Sequence, residues 1–321
     1  MNPVQQTATA VCQRAVSVSH DANGQSTLAP PARRPGDLST ALTSDEILAH
    51  PALGTWVRGQ AQALLLIHQA SPRTSSPFAT QQRWLMAHAA FGLYFRSPHR
   101  RIMFSDFLKL VVRHEIASRN TAEAFIKEMV KYGLVRRVDE AVRDRRTRPV
   151  VPSEESLQQI AGWLMLHLAS LDGLDGGARL QMLHARPDIL ARAQPLIADA
   201  LLTTSSIRNP VHTFALFTWL NGGGIVMDRI MCSIPGIDVA ADRILTRITS
   251  MEALMTGLVL SRSHLMRKLR AAELLGSLGW TGRPDRSPLW VSQGFWREYA
   301  TAQAVKLALI DRAFAAATDN G

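Results

Sequence analysis

Arg143, Arg145, Arg146 and Arg148 put four guanidinium groups within six residues. Like charges this close repel one another, and gathering them is costly unless phosphates balance them. Upstream, Ser118, Arg119, Asn120 and Thr121 form a run of side chains able to hydrogen-bond phosphates and base edges, with Lys127 further along. A second set lies downstream: Arg262, Ser263, Arg267 and Arg270, then Arg283 and Arg286. This chemistry neutralises phosphates and reads groove edges. The alternative use of each set is a solvated charged turn or helix face.

The elements carrying these groups follow from periodicity. Ser105 is expected to cap a helix running to about Val112, with a turn over residues 113–116. Ala122, Phe125, Ile126, Met129 and Val130 then recur at helical spacing on one buried face, which leaves Ser118 to Thr121 at the N-terminal tip and Lys127 on the solvent side. Gly133 closes that helix. Leu134 to Arg137 begin a strand, the arginine-rich stretch forms a flap, and Ser153 caps a long apolar helix. Two short helices, a turn and a basic flap make a winged helix-turn-helix, whose second helix enters the DNA major groove.

The flap from Arg143 to Ser153 resembles the wing of MarR-family regulators, in which an Asp-Arg-x-Arg-like tip precedes a short apolar strand. Tyr132-Gly133-Leu134-Val135 is similar to the exit of that family's recognition helix. The resemblance covers residues 104–171. It implies that Asp144 braces the wing, that Arg145 or Arg146 enters the minor groove, and that a small-molecule effector is sensed near the junction of the long helices. Met165, Trp219, Met227, Met231 and Met255 are the candidates to line such a pocket, with core filling as their ordinary alternative. The chain departs from the family at Pro152-Ser153 and at Ser156, positions that touch the cap more than the DNA contacts.

Sliding the chain on itself by 143 residues puts Ser118-Arg119 on Ser261-Arg262, Ile126 on Leu269 and Gly133 on Gly276. The order of features repeats as well. Residues 250–255 form a short helix, and residues 261–273 form a recognition helix with Leu265, Leu269 and Ala272 inward. A short flap from Thr281 to Pro288, a strand Leu289-Trp290-Val291 and a Ser292 cap lead into a closing helix over residues 295–317. The repeat predicts an internal pseudo-dimer, and its unlike tips predict an asymmetric DNA site. A homodimer of the whole chain stays open.

The remaining stretches are read as support. Residues 1–42, rich in Ala, Ser, Thr, Gln and Pro, are expected to be a disordered tail. Thr43 and Glu46 have capping-box spacing, and a helix over residues 53–69 follows. Ser76-Pro77 is expected to start the next helix, which carries Trp84, His88 and Phe91. The stretch from Leu171 to Gly177 reads as a turn, Pro187 and Pro195 as interruptions between short helices, Asn209-Pro210 as the start of a helix reaching Trp219, and Gly222-Gly223-Gly224 as a chain reversal.

Composition bounds the function. The 321 residues are 46% hydrophobic, enough for a sizeable core, and 36 Lys and Arg against 26 Asp and Glu give a net charge of +10. That balance suits a polyanion. Two cysteines build neither a disulfide framework nor a metal site, so a reducing cytoplasm fits. No membrane span, signal peptide, zinc spacing, phosphate loop or nucleophile elbow stands out, so the expectation is not an enzyme and no cofactor.

The sequence therefore predicts a mostly α protein with tandem winged helix-turn-helix units, long scaffold or dimerisation helices and short β wings. Its parts would be the tail (1–42), a first unit (43–204) and a second (205–321). The function expected is a bacterial-type regulator of transcription bound to double-stranded DNA. A plasmid-type tandem winged-helix replication initiator and a winged-helix protein-interaction module are the alternatives.

Overall fold

The computed structural model describes residues 41–70, 78, 80–138, 149–236, 241–258 and 260–319. Residues 1–40 of the expected tail, the Ser76-Pro77 start signal, and Asp144 with Arg143, Arg145, Arg146 and Arg148 fall outside these.

Polar caps set about half of the helix starts. Thr43 and Glu46 form the predicted capping box at the head of α1 (Ser44–Ala49). α2 (Leu53–Ala70) follows, and α3 (Gln81–Arg96) begins behind Thr80, which accepts the Arg83 N–H. α4 (Phe104–Arg113) is capped by Met103, without a side-chain bond, and not by Ser105 as expected. The reason lies before it. Ile102 pairs with Val150 in an antiparallel bridge, so extended backbone runs up to Met103 and the helix begins directly after.

α5 (Arg119–Lys131) starts at the Ser118 cap and ends before Gly133, whose φ of +73° is the left-handed conformation expected there. β1 (Val135–Arg137) pairs antiparallel with β2 (Val150–Pro152), Val135 opposite Pro152. Ser153 then caps α6 (Glu154–Asp175).

Two expected breaks are absent. The predicted turn at Leu171 is helical through Asp175, and only Gly176 adopts the left-handed cap. A Cβ on Gly173 would sit 1.9 Å from the Trp56 ring, so this glycine is a packing residue that lets α2 and α6 approach. Past α7 (Arg179–Ala185), Pro195 lies buried inside α8 (Ile189–Thr203) and does not interrupt it. The proline removes one helical N–H, but α8 packs closely on α3, where a Cβ on Gly92 would meet the Ala198 Cβ at 2.7 Å.

The later part of the chain holds α9 (Ser205–Arg208), α10 (His212–Thr218) and α11 (Gly223–Cys232). Trp219 follows α10 as its cap instead of extending it, and of the three glycines only Gly222 is in the turn. β3 (Arg243–Leu245), which the sequence did not suggest, is followed by α12 (Met251–Met255) and α13 (Arg262–Leu274). β4 (Leu278–Trp280), β5 (Leu289–Ser292) and α14 (Gln293–Asp319) complete the described chain. The second sheet has the order β3-β5-β4, all antiparallel. In the first, β2 is likewise the middle element, between Ile102 and β1.

The architecture is thus mostly helical with a few short antiparallel strands. Its buried side chains form one hydrophobic cluster in which early and late elements interlock: α2 packs on α11, α3 on α8, and α1 and α8 on α14. One buried ionic knot crosses the same seam. Arg179, 1% exposed, donates to Asp311 at 2.7 Å and to Asp175 at 2.7 and 2.8 Å, and also reaches Asp172 at 3.2 Å. Burial works against its charge, but the hydrogen bonds to Asp175 and Asp311 overcome that and raise the guanidinium pKa. No helix among the described residues is long and apolar enough to cross a membrane.

Candidate nucleic-acid interface

Two helix tips carry the described candidate residues. At the head of α5, Ser118, Arg119, Asn120 and Thr121 are all exposed. The Ser118 hydroxyl accepts the Thr121 N–H at 3.2 Å and contacts the Thr121 hydroxyl at 2.9 Å, so both hydroxyls serve the cap. Arg119 and Asn120 face solvent. Lys127 is exposed as predicted but sits 2.8 Å from Glu123, one turn earlier.

At the head of α13, Arg262, Ser263, Arg267 and Arg270 are exposed while Leu265, Leu269 and Ala272 are buried, as their spacing predicted. Ser261 accepts the His264 N–H at 3.2 Å. Arg283 and Arg286 are exposed on the flap between β4 and β5. Asp285 pins that flap to both helices of the unit. It accepts the Met251 N–H at 2.7 Å and the Arg262 guanidinium at 2.7 Å, and these contacts, the Met251 bond first, hold its carboxyl below the usual range. The brace that sequence reasoning assigned to Asp144 therefore exists in the second flap, at a residue not singled out.

The backbone beneath the two tips is closely alike. Gly133 donates to the Val130 carbonyl and Gly276 to that of Glu273, at 3.1 and 2.9 Å. Leu134 donates to Met129, and Ser277 to Ala272, both at 3.0 Å. Gly276 has φ +67°, matching Gly133. Ser153 donates to the Leu134 carbonyl and Ser292 to that of Ser277, at 2.9 and 2.8 Å, tying each long following helix to its sheet.

A different site lies between the long helices, where sequence reasoning put an effector pocket on five residues. A cavity of about 340 Å³ opens there, but of those five only Met227 lines it. Met165 and Met231 are buried in the core, Met255 packs against it from the edge, and Trp219 is 47% exposed. The functional groups of the cavity were missed: Asp228 on α11, Tyr299 and Lys306 on α14, and His88 on α3. Tyr299 donates to Asp228 at 2.7 Å. Burial pushes the Asp228 carboxyl up to about 6, and burial together with Lys306 pushes the His88 imidazole down to about 3. The Lys306 ammonium is drawn down to about 8 by burial, against the pull of Asp228. The available signal was Lys306, a single charge inside the apolar run Ala304-Val305-Lys306-Leu307; Asp228 sits beside Arg229 and stands out less.

No known family pattern, curated protein or solved structure matches this chain.

Proposed function

We propose that the chain is a double-stranded DNA-binding regulator of transcription with two winged helix-turn-helix units, α5 and α13 entering the major groove and the basic flaps lying along the minor groove. The observation that carries this reading is the recurrence of one hydrogen-bond frame under two exposed, basic helix tips. The Ser cap, the left-handed Gly, the carbonyl that receives the following Ser and the middle position of β2 and β5 all recur. A helix whose tip is exposed and whose inner face is buried against a sheet suits insertion into a groove. The net charge of +10 supports a polyanionic partner. In the first unit Arg119, Asn120 and Lys127 contact DNA together with the arginines of the flap; in the second Arg267, Arg270, Arg283 and Arg286 do so.

The test is selection from a random pool of DNA duplexes at two salt concentrations, with the mass of the complex measured in parallel. The expected result is salt-sensitive binding of one chain to a bipartite, asymmetric motif, since the two tips differ in sequence. Replacing Arg267 by Gln should lower the salt slope by about one, the loss of one phosphate contact. Absence of any salt-sensitive binding overturns the proposal and leaves a protein-interaction module.

A further inference from the structure

The cavity between the long helices is of a size that holds small ligands, on the order of 300–1,000 Å³. Its wall is contributed by elements on both sides of the seam: α2, α3 and α6 from the earlier part of the chain, α9, α10, α11 and α14 from the later. Trp84, Phe91, Trp163 and Phe214 make much of that wall aromatic. A hollow of this kind forfeits the contacts of every side chain that lines it unless something fills it.

Its polar groups are unequally served. The Tyr299 hydroxyl donates to Asp228 at 2.7 Å, His88 is 3.1 Å from the Gln194 amide, and the Gln60 amide donates to Gln303 at 2.9 Å. Lys306 has neither a hydrogen bond nor an ion pair with any described residue, and among the described residues of the wall it is the one Lys or Arg. An ammonium on a largely apolar wall that has only the electrostatic pull of Asp228, and no hydrogen bond, is costly to bury, and an anion brought to it offsets that cost.

We propose that the cavity binds a small organic anion with an aromatic body, its anionic group on Lys306 and its ring among Trp84, Trp163 and Phe214. Asp228 lines the same cavity and already draws on Lys306 electrostatically. Its carboxylate disfavours a second negative group on the ligand, so a monoanion fits best. The proposal does not depend on DNA binding, and its test contains no nucleic acid.

Two fluorescent probes of matched shape separate charge from hydrophobicity: anilinonaphthalene sulfonate and its uncharged analogue phenylnaphthylamine. Each is titrated into the purified full chain, with a cooperative thermal transition required of every variant. The sulfonate should saturate at one site per chain. Lys306→Met should weaken it by about tenfold or more while changing the uncharged probe by less than about threefold. Asp228→Asn should strengthen the sulfonate. Ala302→Trp, which fills the cavity from α14, should abolish both. Three results overturn the proposal: no saturable site, equal loss of both probes in Lys306→Met, or undiminished binding in Ala302→Trp.

Discussion

The tips of α5 and α13 share a backbone frame and an exposed Ser-Arg pair, but differ in most of what else they expose. At α5, Lys127 is paired with Glu123 within its own helix, and the exit carries Lys131 and Tyr132, both exposed. At α13, Arg262 is paired across to the flap through Asp285, and the exit carries Leu274 and Leu275, 90% and 55% exposed. The caps, glycine turns and strand contacts cost stability if changed, so they are alike. Exposed side chains cost little to change, and there the two tips differ. The difference separates what holds such a unit together from what it presents to a partner.

The largest effect is expected at the ionic knot that joins the helices following the two sheets. Arg179→Ala leaves Asp172 and Asp175 of α6 facing Asp311 of α14 without their cation, and α6 and α14 are the helices that follow the two sheets. A loss of about 3–5 kcal/mol in urea unfolding is expected. A loss below about 1 kcal/mol would mean that the knot does not bind the two parts together.

Acid should separate the parts next. Among the described residues, the buried imidazoles, His68, His88 and His167, all precede residue 205, whereas His212 is exposed and His264 half-buried. His88 is held at about 3, far below its ordinary value, chiefly by burial. Its neutral form therefore contributes stability that is complete above about pH 6.5 and is lost as pH falls toward 3. Asp228, raised to about 6, works the other way, since protonation favours its folded form below that pH. Comparing the chain with His88→Gln cancels the Asp228 contribution. The unsubstituted protein should lose about 2 kcal/mol more than the variant between pH 6.5 and 5 in urea titrations.

A third test sharpens the likeness of the frames. A Cβ at Gly133 or Gly276 meets nothing within 4 Å, so only the positive φ opposes a side chain there. Gly133→Ala and Gly276→Ala should each cost about 1 kcal/mol. Costs that differ by more than about 0.5 kcal/mol would show that the two turns are not equivalent in energy. The smallest effect is expected at the flap brace. Asp285→Asn removes the counter-charge of Arg262 at little cost in thermal stability. If the tip binds DNA, it should raise the salt slope by about one as Arg262 turns to a phosphate. An unchanged slope would assign Asp285 a purely orienting role.

Local chemistry was readable from the residues. The Thr43 and Ser153 caps, the turn at Gly133 and the inward set Leu265, Leu269 and Ala272 all lie where capping rules and helical spacing put them. What was not readable depends on contacts distant in sequence. β3 is a three-residue strand recognisable only from its pairing with β5, and the Ile102 bridge is shorter still. Pro195 looked like a helix break because its tight seat on α3 cannot be seen from α8 alone. Asp172 and Asp175 looked like turn residues until Arg179 and Asp311 supplied a reason for them to stay helical. The cavity drew its wall from seven helices, so no window of sequence contained it.

The interlocking of early and late helices has a further consequence. Paired subunits separate when diluted, because association must offset the freedom that two molecules regain. Here α2 on α11, and α1 and α8 on α14, are contacts within a single polypeptide. The two tips therefore stay in a one-to-one ratio at any abundance of the protein.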